Sequence, residues 1–458
     1  MTCAEELADF VTRSCFDNLS DRECAQLKIR VLDSVGCAIG AMDGEPIRIL
    51  RDQIPEPDGV CTLIGGGRAA ADRAAFYNGA LVRYLDFNDS YLAKEETCHP
   101  SDNLAPVLAA TEYVDGTGRD LLTALAVAYQ VQRRLSDVAP VWAAGFDHTT
   151  QGSYAVVTGV SRALGLNPMQ TANTIGICGT AFNALRVSRT GKLSNWKGLA
   201  YPNTAAGCTF ATFLAMGGIT GPLEVFEGEK GFMDAIAGCF QIDWSQENLG
   251  RVMSTVLKKH NAEIHSQTAI ECALQLIADE KFDATEIEHI DLETFVVAYN
   301  IIGGGEEGDK TSVSTKEEAD HSLPYLVSVA LLDGRVMPEQ YAAERILRPD
   351  VQKLLHRVSV HPVDAFSDRF PSEMPCRLTI AFRDNGVLSK ETHDYPGFIT
   401  RPMSWEMACE KFERVTERFT TASMRRSISD AVRNLESIQV REFARLLHDI
   451  ETPERQRR

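Results

Sequence analysis

Residues 21–42, DRECAQLKIRVLDSVGCAIGAM, place Leu27, Val31, Leu32, Val35 and Ile39 at the three- and four-residue spacing of a helix with one apolar face. Gly36 and Gly40 lie on the same segment and predict points where a second helix packs closely. Helical patterns rich in Ala and Leu recur at 104–114, 121–135, 153–164, 169–185 and 199–216, so the first half predicts a largely helical domain. After about residue 262 the apolar spacing shortens to two. HIDLETFVVAY alternates around Ile290, Leu292 and Thr294, HRVSVHPV around Val358 and Val360, and CRLTIAF around Leu378, Ile380 and Phe382. Asn385-Gly386 comes next, and because both residues tolerate positive φ it is a strong hairpin signal. Helical stretches at 265–278 and 323–332 interleave with these strands, and from residue 404 onward helices with charged outer faces return. The pattern predicts a mainly α large domain, residues 1–260 and 400–458, and a smaller α/β lid domain, residues 261–399. Two domains also suit the length, since 458 residues exceed what one hydrophobic core usually supports.

Charge narrows the partners. A formal net charge of -18 and a pI near 5.1 argue against nucleic acid or an anionic membrane surface, both of which need a broad basic footprint. A small anionic ligand held by a few focused Lys and Arg remains compatible. The 12 cysteines never approach closer than nine positions, so no CxxC pair for zinc, redox exchange or an iron–sulfur site is present. Scattered single thiols in apolar segments, such as Cys37, Cys178, Cys208 and Cys272, read as buried residues in a reducing compartment. With an acidic, amphipathic N-terminus and no apolar stretch of spanning length, the expectation is a cytoplasmic protein. The run Gly65-Gly66-Gly67 lacks the spacing of a phosphate-cradling loop and predicts a tight turn before a helix near Ala69. GGGEEGDK at 303–310 reads as a mobile loop.

The chemistry concentrates in LDFNDSYLAKEETCHPSDN, residues 85–103. It follows the helical pattern DRAAFYNGALVRY and precedes LAPVLAATEYV, whose start Ser101, Asp102 or Asn103 can cap. A helix exit and a helix start there expose backbone groups beside acid, hydroxyl, lysine and histidine side chains. Lys94, Glu95 and Glu96 are expected to face solvent, and His99 has a bland alternative as a cap of the helix after it. Asp89 and Asp102 could orient His99 or bind a substrate hydroxyl; the sequence does not choose.

The stretch NGALVRYLDFNDSYLAKEETCHPSDNLAPVLAATEY resembles the MmgE/PrpD family, which includes 2-methylcitrate dehydratases, cis-aconitate decarboxylases and iminodisuccinate epimerases. GFDHTT at 145–150, NAEIHSQTAIECA at 261–273, ADHSLPYLVSVALLDG at 319–334 and VLDSVGCAIGAM near the start agree with it. The resemblance implies a helical large domain, a small α/β lid, a homodimer, metal-free catalysis without a cofactor, and an active site between the two domains. It assigns Asp86 and Ser90 to an acid and a hydroxyl position, with serine where threonine is more usual, and His99 and His148 to two active-site histidines. Lys197 and Lys258 match basic positions; in register with the decarboxylase branch, however, its lysine falls nearer Ala206, and Glu263 stands where that branch has another histidine. His265 and His321 are expected to be structural.

These residue types suit proton removal beside a carboxylate, which needs a base near the carbon and cations for the charge that develops. His99 would move the proton at the reacting carbon, while Asp86 or His148 assists departure of a hydroxyl as water. Arg186, Arg189, Lys192, Lys197, Lys258 and Lys259 form the pool for binding carboxylates. The implied activity is dehydration of 2-methylcitrate or a related hydroxy-polycarboxylate. The alternatives are cis-aconitate decarboxylation to itaconate, an epimerase, and a catalytically silent tricarboxylate-binding protein.

Overall fold

The computed structural model describes residues 1–54 and 59–450; residues 451–458, the end of the predicted large domain, lie outside them. Along the chain the elements used below are α1 (Cys3–Arg13), α2 (Asp21–Gly40), β1 (Cys61–Thr62), β2 (Arg68–Ala69), α3 (Ala71–Tyr84), β3 (Tyr91–Leu92), β4 (Thr97–Cys98), α4 (Leu104–Tyr113), α5 (Gly118–Val138), α6 (Thr149–Leu164), α7 (Pro168–Ala181), α8 (Trp196–Met216), α9 (Gln267–Asp279), β5 (Ile287–Thr294), α10 (Leu323–Asp333), β6 (Val358–Pro362), β7 (Cys376–Phe382) and β8 (Val387–Thr392). They form two compact units: residues 1–186, 198–255 and 404–458, and residues 187–197 with 256–403. The short segment carrying Lys197 thus joins the second unit, a membership that no local pattern reveals.

The first unit is helical. Ser20 and Glu23 close a capping box that starts α2, and Thr117 and Asp120 do the same for α5, satisfying backbone N–H groups that the helices leave open. The predicted apolar face of α2 is buried, with Leu27, Val31, Leu32 and Ile39 fully removed from water. A methyl group on Gly36 would stand 3.1 Å from Phe412, and one on Gly40 2.4 Å from Val415, so both glycines admit helix Trp405–Thr416. Gly65, Gly66 and Gly67 all take positive φ in the turn between β1 and β2, as the triple-glycine pattern requires; the next helix starts at Ala71. The C-terminal pattern divides into two helices, Ala422–Arg433 and Val440–His448.

The second unit is built on a mixed four-stranded sheet in the order β6-β5-β7-β8. β5 runs parallel to β6 and antiparallel to β7, with Ile290 opposite Val358 on one side and Ile380 on the other. Ile290, Leu292, Leu378 and Ile380 are fully buried, which is the alternation expected of strands with one covered face. The hairpin from β7 to β8 forms at 383–386, with Asn385 alone taking positive φ (66°) while Gly386 does not. At 303–310 the chain leaves a helical turn, Tyr299–Gly303, through Gly304 in the left-handed region.

Candidate active site

At the end of α3 the chain turns sharply at Asp86, whose φ of 53° is costly for a residue with a Cβ. Arg83, on the last turn of α3, holds that acid: its Nη1 lies 2.5 Å from Asp86 Oδ1, and its Nε lies 3.7 Å from Asp102 Oδ2. The small hairpin of β3 and β4, with Tyr91 opposite Cys98 and Leu92 opposite Thr97, then brings His99 back to Asp89 and Ser90. His99 Nδ1 is 2.8 Å from the Asp89 main-chain oxygen and 3.1 Å from Ser90 Oγ. A carbonyl oxygen only accepts, so Nδ1 carries a proton, and in the neutral imidazole Nε2 is then the basic nitrogen.

The second histidine sits immediately before α6. Asp147 Oδ1 lies 3.0 Å from His148 Nδ1 and accepts the Thr149 N–H, fixing the acid at the start of the helix. The His99 and His148 rings meet edge to face, centroids 5.3 Å apart and planes at 80°, and Tyr201 closes on His148 from 6.0 Å at 84°. Tyr201 donates its hydroxyl to Asn103 Oδ1 (3.0 Å), and burial holds its pKa well above the ordinary phenol value. His99 is 7% exposed and His148 2%, so both rings are buried.

Several expectations for the polar run require correction. His99 caps nothing through its side chain, which turns back to Asp89. Ser101, Asp102 and Asn103 make no cap for α4 either: they form a separate short turn, and their side chains bond to Asn88, Gln132 and Tyr201. Lys94 and Glu95 are exposed as expected, but Glu96 is buried. Its Oε2 accepts from Gln151 Nε2 (2.5 Å) and the Val141 N–H (3.2 Å), and burial raises its pKa to about 8, with Asp147 adding to the rise. Arg186 lies with its guanidinium 3.8 Å from the centre of the Trp142 ring.

The second unit gathers its own buried charges. Lys197 donates to Asp320 Oδ1 (3.2 Å) with its Nζ 2.9 Å from His321 Nδ1, His321 Nδ1 lies 2.6 Å from Asp320 Oδ1, and Lys316 reaches Asp320 Oδ2 at 2.7 Å. Burial by itself would raise the Asp320 pKa; Lys197, Lys316 and His321 together hold it far below the carboxylate range. Lys258 is fully buried, and with His265 and His321 it keeps Glu263 ionised against its own burial. Glu263 accepts from the His265 N–H at 2.7 Å and lies 2.7 Å from its Nδ1. Lys310 is also buried, which lowers its pKa, opposed by Glu307. Lys259, from the predicted cation pool, is instead tied to Glu271 at 2.9 Å. No three thiols gather among the described residues, so the ligand set of an iron–sulfur cluster is not assembled there.

Comparison with known proteins matches the sequence to a described family. The MmgE/PrpD N-terminal domain profile covers residues 5–245 and the C-terminal domain profile residues 260–437. The chain belongs to the MmgE/PrpD family. It is 27% identical over 422 residues to 2-methylcitrate dehydratase of Cupriavidus necator, covering 85% of this chain and 84% of that one. It is 26% identical over 395 residues to 2-methylcitrate dehydratase of Escherichia coli K12, covering 80% of each. Cis-aconitate decarboxylase of Mus musculus is 25% identical over 393 residues, covering 80% of this chain and 76% of that one. The relatives named here are dehydratases and a decarboxylase, both kinds of lyase.

Within this MmgE/PrpD chain, sequence reasoning passed over Arg83, Tyr201 and Lys310. Arg83 and Lys310 are buried cations, and their signal lies in their neighbours: Arg83 stands three residues before Asp86, and Lys310 directly follows Asp309. Tyr201 lies in YPNTAAG with nothing local to mark it. No helix among the described residues is long and apolar enough to cross a membrane.

Proposed function

We propose that the protein is a hydro-lyase that dehydrates 2-methylcitrate or a closely related hydroxy-polycarboxylate. The observation that carries this reading is the perpendicular His99–His148 pair, one ring fixed through Nδ1 on a carbonyl and the other beside a carboxylate. In the dehydration, His99 Nε2 takes the proton from the carbon next to a carboxylate. The electron pair of that C–H bond forms the alkene as the C–O bond to the neighbouring hydroxyl breaks. His148, with Asp147 at its Nδ1, is the acid that delivers a proton to that hydroxyl, which departs as water.

The remaining roles follow from charge and placement. Asp86 orients the hydroxyl-bearing end with Arg83, and Ser90 supports His99 and the substrate. Arg186, Lys197 and Lys258 bind carboxylates, the two lysines being buried cations. No cofactor or metal enters this scheme. The names of the relatives from Cupriavidus necator and Escherichia coli support the dehydratase assignment, and the mouse relative supports decarboxylation of cis-aconitate as the second reading. We further propose a cytoplasmic homodimer.

Proton NMR of the purified, metal-chelated protein with 2-methylcitrate and, separately, with cis-aconitate tests the scheme. Alkene signals growing from 2-methylcitrate, and reduced at least ~100-fold in His99→Ala, are the expected result. Itaconate formed from cis-aconitate moves the assignment to the decarboxylase. No turnover of either compound, with saturable binding retained, makes the chain a polycarboxylate-binding protein.

A further inference from the structure

The side chain of Asp89 takes no part in the scheme above, yet it is fully buried and both its oxygens are engaged. Its Oδ1 accepts the Ser101 N–H at 2.9 Å, and its Oδ2 accepts the Tyr129 hydroxyl at 2.8 Å. Residues 89 and 101 flank the β3–β4 hairpin on its two sides, so one carboxylate staples the ends of the loop that carries His99. The same residue's main-chain oxygen is the acceptor for His99 Nδ1. Any shift of residue 89 relative to residue 101 therefore alters the distance between that oxygen and the ring.

Tyr129 anchors the staple to α5. It is buried, its pKa is held well above the ordinary phenol value by burial and then by Asp89, and it remains a donor. Behind it Arg30, also buried, donates Nε and Nη2 to Thr255 Oγ1 and O, each at 2.7 Å, and its positive charge acts on Asp89. Asp33 on α2, 2.6 Å from Lys411, is a second charge that acts on Asp89 and Tyr129. A carboxylate with one oxygen bonded to the backbone and the other to a phenol, both on separate elements, has little freedom to move.

We propose that Asp89 and Tyr129 are positioning residues that hold His99 in the Nδ1–H tautomer with Nε2 as its basic atom. The proposal rests on His99 acting in proton transfer only for its kinetic consequence; the tautomer itself is a property of the resting protein.

The test is long-range proton–nitrogen NMR of the full chain labelled at histidine, with the His99 signals assigned by their loss in His99→Gln. The wild type is expected to show His99 with Nδ1 protonated and Nε2 bare near neutral pH. In Asp89→Asn and in Tyr129→Phe the two nitrogens should move toward averaged values, with kcat lowered about 10-fold to 100-fold and KM changed less than about 3-fold. A wild type with Nε2 protonated overturns the proposal without any variant. So does an unchanged His99 signature in both variants, or in whichever of them folds. If the tautomer shifts as expected while His99→Gln keeps full activity, the staple stands and the catalytic role of His99 fails.

Discussion

Glu96 shows how burial alone changes what a residue does. The residue is 2% exposed, its Oε1 makes no hydrogen bond among the described residues, and its pKa rises from 4.5 to about 8, chiefly by burial. The folded chain therefore keeps a proton that the unfolded chain releases between those two values. Linkage then makes stability fall as pH rises through that window, by ~1.4 kcal/mol for each unit of separation traversed, and level off above the folded pKa. Glu96→Gln keeps an acceptor for Gln151 and the Val141 N–H and removes the titration. Urea unfolding at pH 5.5, 7 and 8.5 should show the variant gaining on the wild type as pH rises. A difference that stays constant over that range would mean that Glu96 is ionised throughout. His99 makes the complementary point: a histidine before proline at a helix start has a plain capping role open to it, and what removes that role is a carbonyl ten residues earlier in the chain.

Between elements, the contact of α2 with helix Trp405–Thr416 depends on having no side chain at Gly40. A Cβ there would meet Val415 Cγ1 at 2.4 Å and the Val415 oxygen at 3.1 Å, whereas at Gly36 the nearest atom is a Phe412 ring carbon at 3.1 Å. Gly40→Val should therefore cost about 1–3 kcal/mol, and Gly36→Ala less, read as loss of thermal midpoint at constant denaturant slope. Equal effects at the two positions would mean that the helices separate freely. These glycines were legible in sequence because they interrupt an apolar stripe, and the strands were legible because alternation is local. The helix ends before Gly165 and Gly334 likewise carry their own left-handed signal. Arg83 was not legible: in ALVRYLD an arginine on the last helical turn reads as an ordinary partner of the helix dipole, and only the fold reveals it buried between Asp86 and Asp102. Lys310 was missed for a similar reason, since a glycine-rich acidic stretch reads as solvated until the second unit closes over its lysine. His99, Asp86 and Ser90 stand in a polar run and His148 was picked out by the family resemblance, but the return of His99 to Ser90 comes from a hairpin of two-residue strands too short to leave a periodic trace.

At the scale of the whole molecule, the first unit exposes apolar side chains that a protein of net charge -18 has reason to cover. From Gly198 to Leu223 the sequence has no charged residue, yet α8 presents Phe210 (56% exposed) and Leu214 (37%) one turn apart. Met169 (53%) precedes Gln170, which bonds to the Met216 oxygen; Ile219 (55%) bonds back to Leu214, and Tyr113 packs edge-on against Phe213 with ring centroids 4.8 Å apart. These exposed apolar side chains lie on α4, on α7, on α8 and just after α8. What covers them should be a second copy of the chain, because an uncharged apolar face paired with itself by a two-fold axis buries apolar area on both partners and sets no acidic surface against another. Light scattering coupled to size exclusion should give twice the chain mass of 50.4 kDa for the wild type, and the single-chain mass for Phe210→Glu combined with Leu214→Lys. Both changes lie on exposed positions, so far-ultraviolet dichroism of the variant should match the wild type. A wild type at 50.4 kDa under micromolar conditions, or a double variant that stays at twice that mass, would place the face outside any homodimer contact.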